Sequence, residues 1–190
     1  MSERERAAAA TDADVLAAVA AGSADALETL YRRFEGRLFR FLVGIVGGDA
    51  AKAEDAMAET FVDVWRQAGA FRGGSAVSTW VFGIARHKAL SLVRRRRALE
   101  PEEALAGVPS GEADPLSVVA EADTAARVRA ALERLSPEHR EVIELSLYQE
   151  FSYEQIAEIA GCPVNTVKTR AFHARRALQR HLVELAAERG

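Results

Sequence analysis

Between Val164 and Arg180 the chain reads VNTVKTRAFHARRALQR, a stretch with five Lys or Arg side chains and no carboxylate, in a protein whose formal net charge is -3. Arginine and asparagine can bond base edges bidentately, threonine offers a hydroxyl and a methyl, and flanking lysine or arginine can hold phosphates. With Val164, Val167, Ala171, Ala174 and Leu178 as the buried stripe of a helix, rotation alone places Asn165, Thr169 and Arg176 opposite the core. Thr166, Phe172 and His173 then lie beside them, with Lys168 and Arg170 flanking. The helix dipole favours cations late in a helix, which accounts for Arg175, Arg176 and Arg180 without a ligand. It does not account for Lys168 and Arg170 in the first turns, and solvation does not account for an outward Phe172. Recognition of DNA fits this face best.

A second cationic run, Arg94 to Arg97, would alone be a dipole-favoured helix end. Together with Arg86, His87 and Lys88 one to three turns earlier it makes a continuous positive surface. A third segment has the opposite sign: Glu54, Asp55, Glu59 and Asp63 share a helical stretch, which suits contact with a protein and not with a phosphate backbone. Other chemistries find little support. Cys162 is the one cysteine, and His87, His139, His173 and His181 show no paired ligand spacing beyond His173 and His181 on one helix. No nucleophile, base and orienting group recur together, so no metal, cofactor or catalytic activity is expected. Cys162 is expected to pack at a turn.

The elements that must position these residues are helical. Aromatic content is 7% and Ala, Leu, Arg, Glu and Val dominate, so an all-α fold is expected. No window approaches a membrane span and the first residues lack the apolar core of a signal peptide, so the chain is expected to be soluble and cytoplasmic. Residues 1–10 are expected to be frayed. Val15, Leu16 and Val19 predict a short helix, and Leu27 to Val46 predict a longer one ending at Gly47 to Asp49. A third helix runs from about Ala51 to Ala68, with Ala58, Phe61, Val62 and Trp65 on its inward side. The loop Phe71 to Ser78 follows, Ser78 serving as N-cap for a fourth helix that buries Val81, Phe82, Ala85, Ala89, Leu92 and Val93. Trp80 reads as a core or loop-supporting residue before a stacking platform.

Residues 98–117 change character. Three prolines, two glycines and acidic residues without basic ones read as a flexible linker between two small domains, residues 11–97 and 118–186. In the second domain Val128, Leu132 and Leu135 close one helix, and Ser136 with Pro137 starts the next. Ser152 and Gln155 form a capping box ahead of Ile156 and Ile159, and Gly161 ends that brief helix. The short turn and the longer basic helix after it complete a helix-turn-helix.

Taken in order, AEDAMAETFVDVWR, FRGGSAVSTWVFGIARHKALSLVRRRR, an acidic linker and LSPEHREVIELSLYQEFSYEQIAEIAGCPVNTVKTRAFHARRAL resemble the extracytoplasmic-function group of the sigma-70 family of bacterial RNA polymerase sigma factors. The resemblance covers about residues 12–183. It implies a four-helix region 2 and a helix-turn-helix region 4, and a protein that binds core polymerase and directs promoter-specific initiation. Asp55, Glu59, Phe61 and Trp65 match the part that docks on the β′ clamp helices. Gly74 and Ser75 match a pocket for a base flipped from the -10 element. Arg86, Lys88 and Arg94 match phosphate holders, with His87 and Arg95 on the same surface.

The basic helix matches the reader of the -35 element, with Lys168, Thr169, Phe172 and His173 at contact positions. A common family residue at the last of these is arginine, and neutral imidazole lacks its bidentate fork, so the exact -35 sequence is not carried over. The implied partners are core polymerase, through its β′ clamp helices and β flap, promoter DNA and an anti-sigma factor, which can hold such a protein at the membrane. A decoy that only sequesters an anti-sigma factor has no need for Lys168, Phe172 and Arg176 on an outward face. An ordinary helix-turn-helix repressor would leave the acidic helix and the glycine loop unexplained.

Overall fold

The computed structural model describes residues 10–99 and 119–187, which fold into helices and turns with no strand among them. The expectations placed on residues 1–9 and on the linker 100–118 lie outside the described residues, as do the side chains of Arg96 and Arg97. The chain divides into two compact units.

The first unit is built on α1 (Asp12–Ala20), α2 (Ala24–Ile45), α3 (Ala50–Gln67) and α4 (Val77–Leu99). Three of these helices start where a short polar side chain meets an otherwise orphaned backbone N–H. The Asp14 N–H donates to the Thr11 hydroxyl at 3.2 Å, and the Thr11 N–H donates back to the Asp14 carboxylate at 3.0 Å. The Ala26 N–H donates to Ser23, and the Lys52 N–H donates to Asp49. The chain reverses after α2 because Gly47 takes φ 75°, a left-handed conformation in which the Gly48 N–H reaches the Val43 carbonyl at 2.9 Å.

Leu16, Leu30, Leu38, Phe41, Leu42, Val64, Val81 and Phe82 are fully buried, each worth about 1.5 to 3 kcal/mol of burial if the unfolded chain exposes it. The Phe41 and Phe82 rings meet at 5.2 Å and join α2 to α4. Of the stripe expected on α4, Val81, Phe82, Ala85 and Ala89 are buried, while Leu92 and Val93 are half-buried. The expected cap is corrected: α4 begins at Val77, the Trp80 N–H donates to the Ala76 carbonyl, and Ser78 sits inside the first turn.

The second unit is built on α5 (Val119–Glu133), α6 (Pro137–Ile143), α7 (Tyr153–Ala160) and α8 (Val164–Ala187). Arg140 of α6 donates to the Leu132 and Glu133 carbonyls at 3.0 and 2.6 Å, which satisfies the open end of α5 and fixes the bend between the two helices. Ser136 caps α6 with Pro137 in its first turn. Leu135, Ile143 and Ala174 form a core to which Leu132, Ala177 and Leu178 add.

The capping box of α7 is present: the Gln155 N–H donates to Ser152 at 3.2 Å and the Ser152 N–H donates to the Gln155 side chain at 2.9 Å. Gly161, at φ 63°, lets the Cys162 N–H reach the Ala157 carbonyl, so α7 stops and α8 starts within three residues, with half-buried Cys162 in the turn. One feature was not legible in advance. SPEHREVIELSLY reads as an unbroken helix, but a π turn over Glu144–Tyr148 widens it and leaves Leu147 and Tyr148 exposed.

Candidate protein and nucleic-acid interfaces

Helix α3 has three distinct sides. Ala53, Ala56, Met57, Thr60, Phe61 and Val64 are buried, and the Thr60 hydroxyl tolerates this by donating to the Ala56 carbonyl at 2.6 Å. Phe61 is 6% exposed and its ring lies 4.9 Å from that of Tyr31 on α2. It is a core residue, which corrects its expected place on the docking face. The inward side expected for α3 is likewise rotated by about a third of a turn from the observed one, at 100° per residue. Ala58 is exposed, and so are Val62 at 46% and Trp65 at 41%.

The outward side of α3 is therefore an apolar strip, Ala58, Val62 and Trp65, bordered by the exposed carboxylates of Glu54 and Asp55. A groove of about 550 Å³ adjoins it, lined by Tyr31, Glu35, Phe39, Glu54, Met57 and Ala58. Large exposed apolar side chains framed by charge mark a contact surface, and the frame here would welcome a partner with basic groups around an apolar centre. Val62, expected on the inward side, stands on this outward strip instead.

The loop before α4 is held by its own aromatics: Phe71 and Trp80 meet at 5.3 Å, so Trp80 supports the loop. Gly74 is exposed and Ser75 half-buried. On α4 the structure brings His87, Arg94 and Arg95 to the surface, and Arg86 is half-buried. Lys88 lies elsewhere. Its ammonium faces α3, 2.7 Å from Asp63 and 3.7 Å from Glu59, where the expected role was to hold a phosphate.

On α8 the expected core stripe holds, with Val167, Ala171 and Ala174 buried and Val164 and Leu178 half-buried. Asn165, Lys168, Thr169, Phe172, His173 and Arg176 are exposed, and Thr166 and Arg170 are half-buried. The Thr169 hydroxyl donates to the Asn165 carbonyl at 2.9 Å, so outward it offers a methyl and acceptor lone pairs. Phe172 is 55% exposed, and the Arg176 guanidinium sits 5.6 Å over its ring while His173 meets the ring edge-on at 5.4 Å. This stack orders a long cation that would otherwise lose much rotamer freedom on binding.

Lys168 also lies near enough to Glu154 to contribute to the low pKa of that carboxyl. The main causes are the backbone N–H of Glu154 itself and then Ser152. Farther along α8, Arg180 lines a cleft of about 810 Å³ with Arg134, His139 and Glu184. Among the described residues no three His, Cys, Asp or Glu side chains stand together as metal ligands, and no helix is long and apolar enough to cross a membrane.

Comparison with known proteins places both halves. Residues 30–99 match the model of sigma-70 region 2, and residues 125–178 match that of sigma-70, region 4. The chain is 31% identical over 93% of its length to RNA polymerase sigma-H factor of Pseudomonas aeruginosa, covering 96% of that protein. It is 34% identical over 90% of its length to ECF RNA polymerase sigma factor SigM of Mycobacterium tuberculosis, covering 85% of it. Among solved structures, it is similar to CnrH in complex with the cytosolic domain of CnrY, with TM-score 0.68 and 25% identity over 91% of this chain and 97% of that one. The sigma factor RpoE of Bartonella quintana, in complex with the anti-sigma factor NepR, gives TM-score 0.63 and 29% identity over 82% of this chain and 95% of that one.

Proposed function

Because the chain belongs to the extracytoplasmic-function group of the sigma-70 family, we propose that it binds core RNA polymerase and directs initiation at promoters carrying its own -10 and -35 elements. The observation that carries this reading is the pairing, in one chain, of an apolar strip in an acidic frame on α3 with an aromatic reading face in a cationic frame on α8. In this reading residues 11–97 are region 2, residues 98–117 the linker and residues 118–186 region 4.

Val62 and Trp65, with Asp55 two turns before Val62 on the same face, meet the β′ clamp helices of the polymerase. Gly74, Ser75, His87, Arg94 and Arg95 handle the opened -10 strand, with Arg86 beside them. Asn165, Thr169, Phe172, His173 and Arg176 read the -35 duplex while Thr166, Lys168 and Arg170 hold its backbone, and region 4 rests on the β flap. Two modest DNA contacts joined by a tether gain from high effective concentration when a scaffold fixes their spacing, and core polymerase is that scaffold. The nucleotidyl transfer chemistry belongs to the polymerase. The relatives solved with CnrY and NepR support control by an anti-sigma factor, acting on a cytoplasmic protein that can be held near the membrane by that partner.

Assembly tests the docking half. Labelled chain titrated with core polymerase should bind, and Val62→Asp should weaken binding by at least about tenfold, as loss of an interface anchor does. Equal binding of the variant would remove α3 from the interface.

A further inference from the structure

The position of Lys88 assigns a task to a residue that sequence order would give to DNA. Glu59 and Asp63 are one helical turn apart and flank the buried side of α3, on the edge opposite Phe61. Lys88 sits on the edge of α4 that meets them, about 100° or more around the helix from exposed His87 and Arg94, with exposed Arg95 two turns farther along that edge. The ammonium lies 2.7 Å from Asp63 with both side chains about one-fifth exposed, and 3.7 Å from the more open Glu59. At that depth the pair is only partly screened, and removing the cation would leave two carboxylates one turn apart against a helix that must accept phosphates.

We propose that Lys88 is a positioning residue: with Asp63 as chief partner and Glu59 as second, it locks the DNA-handling helix α4 onto the polymerase-docking helix α3. The inference rests on the sigma-factor reading above. Lys88 acts in two ways. It cancels the α3 carboxylates where DNA approaches, and it fixes α4 against a helix whose other side is held by polymerase. The ammonium thereby adds a charged tie to the apolar packing that already joins α3 and α4, and sets the promoter-opening surface against the docking surface. A lysine that gripped phosphate directly would have the opposite relation to Asp63, since the carboxylate would then compete with DNA for it.

That opposition gives the test. Holoenzyme is assembled from core polymerase and full-length chain carrying Lys88→Met, Asp63→Asn, both, Lys88→Arg, or the exchange of Lys88→Asp with Asp63→Lys. Opening of the -10 region is followed by fluorescence of 2-aminopurine in the promoter, with polymerase affinity and thermal unfolding measured beside it. Lys88→Met and Asp63→Asn should each slow opening about fivefold with core binding changed less than about twofold. Their double should be no worse than either, and the exchanged pair should recover most of the rate. Lys88→Arg, which keeps the charge and the fold, should stay within about threefold of the parent. Asp63→Asn opening as fast as the parent or faster while Lys88→Met fails would overturn the proposal and return Lys88 to the phosphates. Parental holoenzyme that opens no promoter would sink the sigma-factor reading, and this inference with it.

Discussion

Helices α3 and α8 each leave a large aromatic in water, Trp65 on one and Phe172 on the other, and the exposed charges on the two faces differ in sign, Glu54 and Asp55 at the head of the α3 strip and Lys168 and Arg176 on α8. The carboxylates of Glu54 and Asp55 at the N-terminal end of the α3 strip would repel a phosphate backbone, which favours a protein as the partner of this face. Lys168 and Arg175 lie one turn before and after Phe172 and Arg176 stacks on it, an arrangement suited to a polyanion whose bases offer methyls and π faces. The same exposed ring therefore means different things according to the field in which it sits. One chain presents both, which is what a factor bridging a polymerase to a promoter requires.

The largest effect that sharpens this contrast lies within α3. Phe61→Ala should cost about 3 kcal/mol or more of stability in denaturant unfolding, because it empties a core site. Trp65→Ala should leave stability within about 0.5 kcal/mol while lowering polymerase affinity by about tenfold or more. Equal destabilisation by the two would break the assignment of core and surface on this helix.

Next in size, Phe172→Ala should reduce discrimination between promoter and mutated -35 DNA by about 1 to 3 kcal/mol, with assembly on core polymerase unchanged. A loss shared evenly by all DNA sequences would make Phe172 a backbone contact and weaken its contrast with Trp65. Lys168→Ala should act differently from Phe172→Ala. It should lower affinity for every sequence and reduce the salt slope of DNA binding by about 1.

The smallest effect contrasts the two capping boxes. Asp14 has its pKa held below the usual aspartate value by the Thr11 hydroxyl and then by the Thr11 backbone N–H. Its contribution is present above the unfolded aspartate value and is lost as pH falls through the lowered native value. Gln155, its counterpart on α7, does not titrate. On acidification the Thr11 amide should lose hydrogen-exchange protection at a pH where the Ser152 amide keeps it. Simultaneous loss would remove the distinction between the boxes.

The degree to which each helix could be read in advance also divides along this line. On α8 the core stripe was legible because Val164, Val167, Ala171, Ala174 and Leu178 leave no rival apolar row, so the outward residues followed by rotation. On α3 two rows compete. The larger side chains, Val62 and Trp65, suggest the core, but the packed side sets the small Ala53, Ala56 and Thr60, which allow close helix approach, beside Met57, Phe61 and Val64. Thr60 enters that row only because its hydroxyl bonds back to its own helix, which composition does not reveal. The pairing of Lys88 is hidden for a related reason: its charge is visible in the sequence, whereas Asp63 across the α3 and α4 contact is visible only as one more acid.

The most direct measurement of the central claim is run-off transcription by core polymerase with and without the chain, on a genomic promoter library. The account predicts transcripts that require the chain, start at discrete sites, and fall when either promoter element is scrambled. Core polymerase giving the same transcripts without the chain, or with the chain and both elements scrambled, would contradict it.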